Sequence, residues 1–235
     1  MTLENVTASS RSSRRRYDDA CGTAHGLDLV GERWALLIMR ELMLGAKRFS
    51  DLRADLPGLS ANVLTQRLEG LEAAGLLVRR KLPPPSSAQV YELTEWGYEA
   101  EPIIQTLGRW AVRSPDHDPT MQISATSLML SFRTMLDPAR AEGIDARIGF
   151  RVGAESYLAR LAGGTIEIAR DDLGDADLIF TGAPPMIGAA VYGGQPLDVL
   201  IAEGALSIEG DRALADRFVT LFPLPSKAQR RPLSA

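Results

Sequence analysis

Between Lys47 and Gly75 the apolar positions fall at helical spacing twice, with a break between the two runs. Leu52 and Leu56 lie four apart, Pro57-Gly58 interrupts, and Leu64, Leu68 and Leu71 then repeat at i, i+4 and i+7. The spacing predicts two short amphipathic helices joined by a tight turn, with Ser50 capping the first, Ser60 capping the second and Gly75 closing it. That is the outline of a helix-turn-helix. The leucine stripe leaves Asn62, Val63, Thr65, Gln66 and Arg67 on the outward side of the second helix. Amide, hydroxyl and guanidinium groups placed there can read base edges, although the same pattern also describes a solvated helix in a plain packing motif.

The flanking patterns extend the unit in both directions. Upstream, a short helix is expected over Ala20–Val30, ended by Gly31, followed by a strongly apolar one over Arg33–Leu44 whose Trp34, Leu37, Ile38, Leu42 and Met43 anchor the core. Downstream, LLVRRKLPPPSSAQVYELT alternates on either side of Pro83-Pro84-Pro85-Ser86-Ser87, which reads as two strands with a rigid, non-pairing tip. Arg79, Arg80 and Lys81 approach that tip, as phosphate contacts or as solubilising charge. Thr94 is placed to cap a helix over Glu95–Val112, whose Ile103, Ile104, Leu107, Trp110 and Ala111 form a wide apolar face.

These fixed points carry a resemblance. WALLIMREL (Trp34–Leu42), Gly45, Arg48-Phe49, Leu52, Pro57-Gly58, Ser60, LTQRL (Leu64–Leu68), Leu71, Gly75-Leu76 and YELTEWG (Tyr91–Gly97) are similar to the HxlR family of bacterial winged-helix transcriptional regulators, over about residues 20 to 112. Gly22 stands where that family usually has Pro after its first Cys, and Asn62 where it often has a basic residue, so the start of helix one and the base contacts are the points of departure. The resemblance implies that the strand pair is a wing, that the helix before Val112 contributes to a two-fold homodimer, and that double-stranded DNA is the partner. Candidate DNA contacts are then Arg48, Ser60, Asn62, Val63, Thr65, Gln66, Arg67, Arg79, Arg80 and Lys81. Single cysteines near the start of the first helix act as oxidant sensors in some proteins of this kind, which makes Cys21 a candidate redox residue; a buried, inert thiol is the other reading.

Ser114–Pro119 has the composition of a linker, and the pattern changes after it. A helix over Thr120–Leu136 is followed by β-type runs at Ala146–Val152, Ser156–Leu161, Thr165–Arg170 and Asp177–Thr181, which predict an antiparallel sheet. Helices are expected at Pro184–Tyr192, at Leu197–Ala202 and from an Asp211 cap to Phe222. ADLIFTG (Ala176–Gly182), a helix, Gly193-Gly194 and GALSIEGDRALADRFVTLF (Gly204–Phe222) resemble the sterol carrier protein-2 fold. That resemblance implies an apolar tunnel between sheet and helices and a small lipophilic ligand; the same apolar positions also suit an α+β core with a structural or dimer-stabilising role. The expected fold class is therefore α+β, a winged helix-turn-helix domain followed by a sterol-carrier-protein-2-like domain. Boundaries are expected at 1–19 (basic tail), 20–113 (DNA-binding), 114–119 (linker), 120–223 (second domain) and 224–235 (C-terminal tail).

A chain of 235 residues, 45% hydrophobic, suffices for two cores. The net charge of −4 is uneven: residues 1–116 hold 15 basic and 15 acidic side chains, residues 117–235 hold 11 and 15, and residues 11–81 hold 13 and 9. Positive charge thus gathers around the helix-turn-helix, including the run Ser9–Arg16, where phosphates would lie. One cysteine precludes an internal disulfide; no apolar run has signal-peptide or membrane-helix length, so a cytoplasmic protein without a membrane partner is expected. Two histidines and one cysteine provide neither zinc spacing nor a nucleophile–base pair, so no metal, cofactor or catalytic residue is expected. The competing class is a lipid or acyl-group carrier, or an enzyme, with an accessory DNA-binding module.

Overall fold

The computed structural model describes residues 16–84 and 86–229. The basic run as far as Arg15, the wing residue Pro85 and residues 230–235 lie outside the described residues. The first half opens with α1 (Gly22–Val30) and α2 (Ala35–Leu42), then α3 (Phe49–Asp55) and α4 (Ala61–Ala73), the hairpin β1 (Leu77–Lys81) and β2 (Gln89–Leu93), and α5 (Glu95–Tyr98) and α6 (Glu101–Ala111). The core lies where α2, α3, α4 and the hairpin converge: Ile38, Met39, Leu42, Leu52 and Leu64 are fully buried, with Leu68, Leu71 and Leu77 beside them.

Three expectations shift in detail. The expected helix over Arg33–Leu44 starts later, because Trp34 adopts φ 81°, a left-handed conformation unusual for a bulky residue. Its ring edge thereby reaches the turn between α3 and α4, where a Cβ on Gly58 would stand 3.9 Å from it. Arg48 rather than Ser50 precedes α3, and its backbone N–H donates to the Asp51 carboxylate. The long helix expected from Glu95 is broken at Glu99–Ala100 into α5 and α6. Pro102 has no N–H to donate to a preceding turn, so it sits where a new helix begins.

The second half contains α7 (Ala125–Met135), β3 (Ala146–Val152), β4 (Glu155–Ala162), β5 (Thr165–Arg170), β6 (Leu178–Gly182), α8 (Pro184–Tyr192), α9 (Leu197–Ala202), β7 (Leu206–Gly210) and α10 (Arg212–Phe218). Its five strands run in the order β5-β4-β3-β6-β7. The sheet is mixed, not antiparallel: β6 pairs β3 in parallel, with Phe150 opposite Phe180, and the other three pairs are antiparallel. The connection between these parallel neighbours is the β4–β5 hairpin followed by residues 171–177, which return over the sheet face at Gly149, where an added Cβ would lie 3.1–3.4 Å from Ile179, Leu173 and Ala176. The missing Cβ lets this short loop cross close to the sheet. The strand β7 lies within a segment quoted above only for its resemblance, and its residues alternate too briefly to announce it.

The other face of the sheet is packed on α7 and α10. Phe132, Phe150, Phe180, Phe218 and Phe222 are all at most 2% exposed. Their ring centroids lie 4.7–5.7 Å apart, within the range of favourable tilted and edge contacts. The space in which an apolar tunnel was expected is filled by phenyl rings.

The halves meet along α7, which packs on both α2 and α6. Buried polar groups cross this junction. Glu41 of α2 is completely buried and accepts from Arg40, from Lys47 Nζ at 3.1 Å and from the Ser124 hydroxyl at 2.8 Å. Lys47, 2% exposed, also pairs with Asp55 of α3. Desolvation alone would lower the pKa of Lys47, but the carboxylates of Glu41 and Asp55 outweigh it and hold the ammonium charged. Arg133 of α7 donates to both oxygens of Glu101 at 2.7 and 2.8 Å, and Arg170 at the end of β5 donates to the Ala46 carbonyl at 3.2 Å.

Candidate nucleic-acid interface

The helix α4 is positioned by its leucines and its caps. Ser60 accepts a hydrogen bond from the Val63 N–H at 3.3 Å, and Gly75, at φ 75°, supplies the left-handed residue that ends the helix while Leu76 N–H bonds to Leu71 O. With Leu64, Leu68 and Leu71 at most 2% exposed, rotation of the helix about its axis is fixed. The outward side then presents Asn62, Thr65 and Gln66 to solvent.

The ten residues nominated from the sequence do not behave alike. Asn62 and Gln66 are exposed and have no hydrogen-bond partner among the described residues, so their amides keep all donors and acceptors for another molecule. The Thr65 hydroxyl donates to the carbonyl of Ala61 one turn back, and Val63 is half-buried against the core. Arg67 is turned aside. Its guanidinium donates to the Arg33 carbonyl at 3.0 Å and to Glu32 at 2.8 Å, tying α4 to the loop between α1 and α2.

On the wing, β1 and β2 pair Arg79 with Tyr91, Arg80 with Val90 and Lys81 with Gln89. Arg79 reaches Glu72 of α4 at 2.9 Å and lies over the Tyr91 ring at 5.6 Å, so it braces the hairpin against the helix. Arg80 pairs with Glu92 at 3.0 Å, whereas Lys81 is exposed with no partner among the described residues. Arg48 extends from the start of α3 to the Ser86 hydroxyl at the wing tip, 3.2 Å away. Arg53, on the exposed side of α3, is a further cation that the apolar spacing did not single out; as the residue after Leu52 in a stripe of period near 3.6 it had to face outward.

Cys21 precedes α1 and is exposed, not buried. The backbone N–H groups of Thr23 first, and of Ala24 next, favour its thiolate and hold the pKa below the usual thiol range. No group of three or more His, Cys, Asp and Glu among the described residues is arranged to hold a metal ion, and no described helix is long and apolar enough to cross a membrane.

Comparison with known proteins divides the chain in the same way. A model described as HxlR-like helix-turn-helix matches residues 29–118, and one described as the SCP-2 sterol transfer family matches residues 128–223. The chain is 38% identical over 85 residues to the HTH-type transcriptional regulator YvaP of Bacillus subtilis, covering 36% of this chain and 79% of that protein. It is 36% identical to the HTH-type transcriptional regulator YodB of the same organism over 35% of this chain and 74% of YodB. The solved reduced form of YodB superposes with a TM-score of 0.38 at 31% identity, over 43% of this chain and all of that one.

Proposed function

We propose that this chain, which belongs to the HxlR-like helix-turn-helix family, is a transcriptional regulator that binds double-stranded DNA as a homodimer in the cytoplasm and acts as a repressor. The observation that carries this reading is the bare polar side of α4: Asn62 and Gln66 project from a helix whose roll is fixed by three buried leucines, and nothing in the described chain uses them. Amides of this kind make paired hydrogen bonds to adenine in the major groove. With α4 in the groove, Lys81 and the Arg48–Ser86 pair at the wing tip approach the backbone, while Arg79 and Arg67 hold the reading unit together. The dimer is supported by α6, which leaves Ile103, Leu107 and Trp110 exposed at 61%, 45% and 70%. Apolar surface of that extent on one helix marks an association site. In this reading the second half is the regulatory part, acting through the α7 junction on α2 and hence on α3 and α4.

The test is selection of bound fragments from the source genome, followed by binding to the recovered operator. Gln66→Ala and Asn62→Ala are each expected to lose about 1–3 kcal/mol at the operator and little on random DNA. Lys81→Ala should weaken both and lower the salt slope by roughly one. Light scattering is expected to give about twice the 25.5 kDa chain mass, and the operator to carry half-sites roughly 34–36 Å apart. Equal losses on operator and random DNA for every variant would remove α4 as the reading helix.

A further inference from the structure

A cavity of about 850 Å³ opens between the two halves. Leu36, Leu37 and Arg40 of α2 and Ile104, Leu107 and Gly108 of α6 form one wall, and Leu130, Ser131 and Met135 of α7 with Tyr192 of α8 form the other. This volume lies in the range of small-molecule sites, whereas the space between sheet and helices is occupied by five phenylalanines. From these two facts together, we infer that the junction cavity binds a small, neutral, lipophilic molecule carrying a hydroxyl donor, of the alkylphenol or fatty-alcohol class. This locates the regulatory ligand of the function proposed above, on which the inference rests only for its effect on DNA.

The polar groups define the chemistry. Ser131 Oγ donates to the Leu128 carbonyl at 2.7 Å and therefore accepts from the Tyr192 hydroxyl, also at 2.7 Å. The chain of donors runs one way and ends with the Tyr192 oxygen, whose lone pairs remain available to a donor entering the cavity. Burial pushes the Tyr192 phenol far above its usual range, so this oxygen stays protonated and keeps its direction at any ordinary pH. At the rim, His117 Nδ1 is buried without a partner among the described residues, one more polar atom for a bound molecule to satisfy. The charged lining consists of Glu101, which Arg133 holds at 2.7 and 2.8 Å, Asp116 and Asp118 against a single guanidinium, Arg40, which Glu41 holds at 2.7 Å, so carboxylates outnumber cations along the wall. Anionic amphiphiles are disfavoured there. Leu36, Leu37, Ile104, Leu130 and Met135 provide the apolar body of the site.

The test compares three molecules with one body and different heads, para-hexylphenol, hexylbenzene and para-hexylbenzoate, by calorimetry on the full chain. The phenol is expected to bind at one site per chain, about three- to tenfold more tightly than hexylbenzene, the return on one hydrogen bond, and the benzoate most weakly. Tyr192→Phe should bring the phenol to the hexylbenzene value and leave hexylbenzene unchanged. Gly108→Leu narrows the cavity at its α6 wall: a Cβ at Gly108 meets no atom within 4 Å, so the new side chain is accommodated, and a leucine suits a helix better than a glycine. It should weaken binding of all three. Binding unchanged by Gly108→Leu, or no binding of the phenol to the wild type, overturns the inference. So does a change of oligomeric state in Gly108→Leu, which would make the groove a contact between copies. Operator affinity without ligand is measured in parallel; a failure there with the ligand results intact strikes the DNA reading and not the site.

Discussion

The two halves leave their unused surface in opposite places. In the first, the interior is closed by leucines and the polar groups without partners lie outside, on α4 and at the wing. In the second, the interior is closed by five phenyl rings and the open space lies at its border, under α7. The half that matches the SCP-2 sterol transfer family thus packs phenyl rings between sheet and helices, and a cavity opens at its border with the other half. The two halves are joined physically through α2, which is at once a wall of the cavity and a support of α3 and α4.

The strongest challenge to that contrast is truncation of an aromatic in the second half. Phe218 touches Phe132, Phe150, Phe180 and Phe222, so Phe218→Ala is expected to cost about 3–5 kcal/mol in chemical unfolding. An interior built as a ligand tunnel would tolerate the change, and a loss well under 1 kcal/mol would show the centre to be open after all. Next in size is Lys47→Met. It takes one of two cations from Glu41, which has no solvent exposure and keeps Arg40, and removes the partner of Asp55, and is expected to cost about 3 kcal/mol. The double replacement Glu41→Gln with Lys47→Met should recover much of it; failure to recover would mean that the ion pair itself, and not the under-compensated carboxylate, stabilises the junction.

Much of this arrangement is legible in the amino-acid pattern, and what is not has physical causes. The period of Leu64, Leu68 and Leu71 placed α4 and the exposure of Asn62, Thr65 and Gln66, since a helix with a buried stripe has one way to lie, while Val63, counted outward with them, is half-buried. The pattern is blind to what a long side chain does at its end. Arg67 faces outward by periodicity, yet four bonds along its stem allow it to fold back onto Glu32 and the Arg33 carbonyl, thirty-four positions away. The parallel pairing of β3 and β6 was hidden for a similar reason: it depends on a loop lying over Gly149, and no local spacing records that approach. The cavity was invisible because its walls are the apolar faces of α2, α6 and α7, each of which reads as ordinary core.

Smaller effects test the first half alone. Cys21 is exposed, and the N–H groups of Thr23 and Ala24 lower its pKa. Because the folded pKa lies below the unfolded one, the thiolate's contribution to α1 is present above the unfolded pKa and disappears as pH falls through the folded value. Alkylation of the native protein by iodoacetamide should accordingly have its midpoint at lower pH than alkylation of the urea-unfolded chain. If the native and unfolded profiles coincide, the helix start does not activate the thiol, and an oxidant-sensing role for Cys21 loses its physical basis.

The smallest expected effect, and the sharpest discrimination, concerns Arg67. Its ion pair with Glu32 is partly solvent-exposed, and such pairs contribute about 0–1 kcal/mol. Removing either partner should therefore change stability by no more than that. The consequences for DNA differ. If Arg67 serves to tether α4 to the loop before α2, then Arg67→Ala weakens operator binding by a small amount, Glu32→Gln weakens it by less because the Arg33 carbonyl still holds the guanidinium, and the double variant is no worse than Arg67→Ala. If Arg67 is a base reader that Glu32 withholds from solution, Glu32→Gln releases the guanidinium and tightens operator binding, while Arg67→Ala loses about 1–3 kcal/mol at one base position. The geometry favours the tether, because the Arg33 carbonyl remains as a partner when Glu32 is replaced. Tighter operator binding by Glu32→Gln, with Arg67→Ala sensitive to a single base pair, would overturn that assignment and extend the reading surface of α4 by one residue.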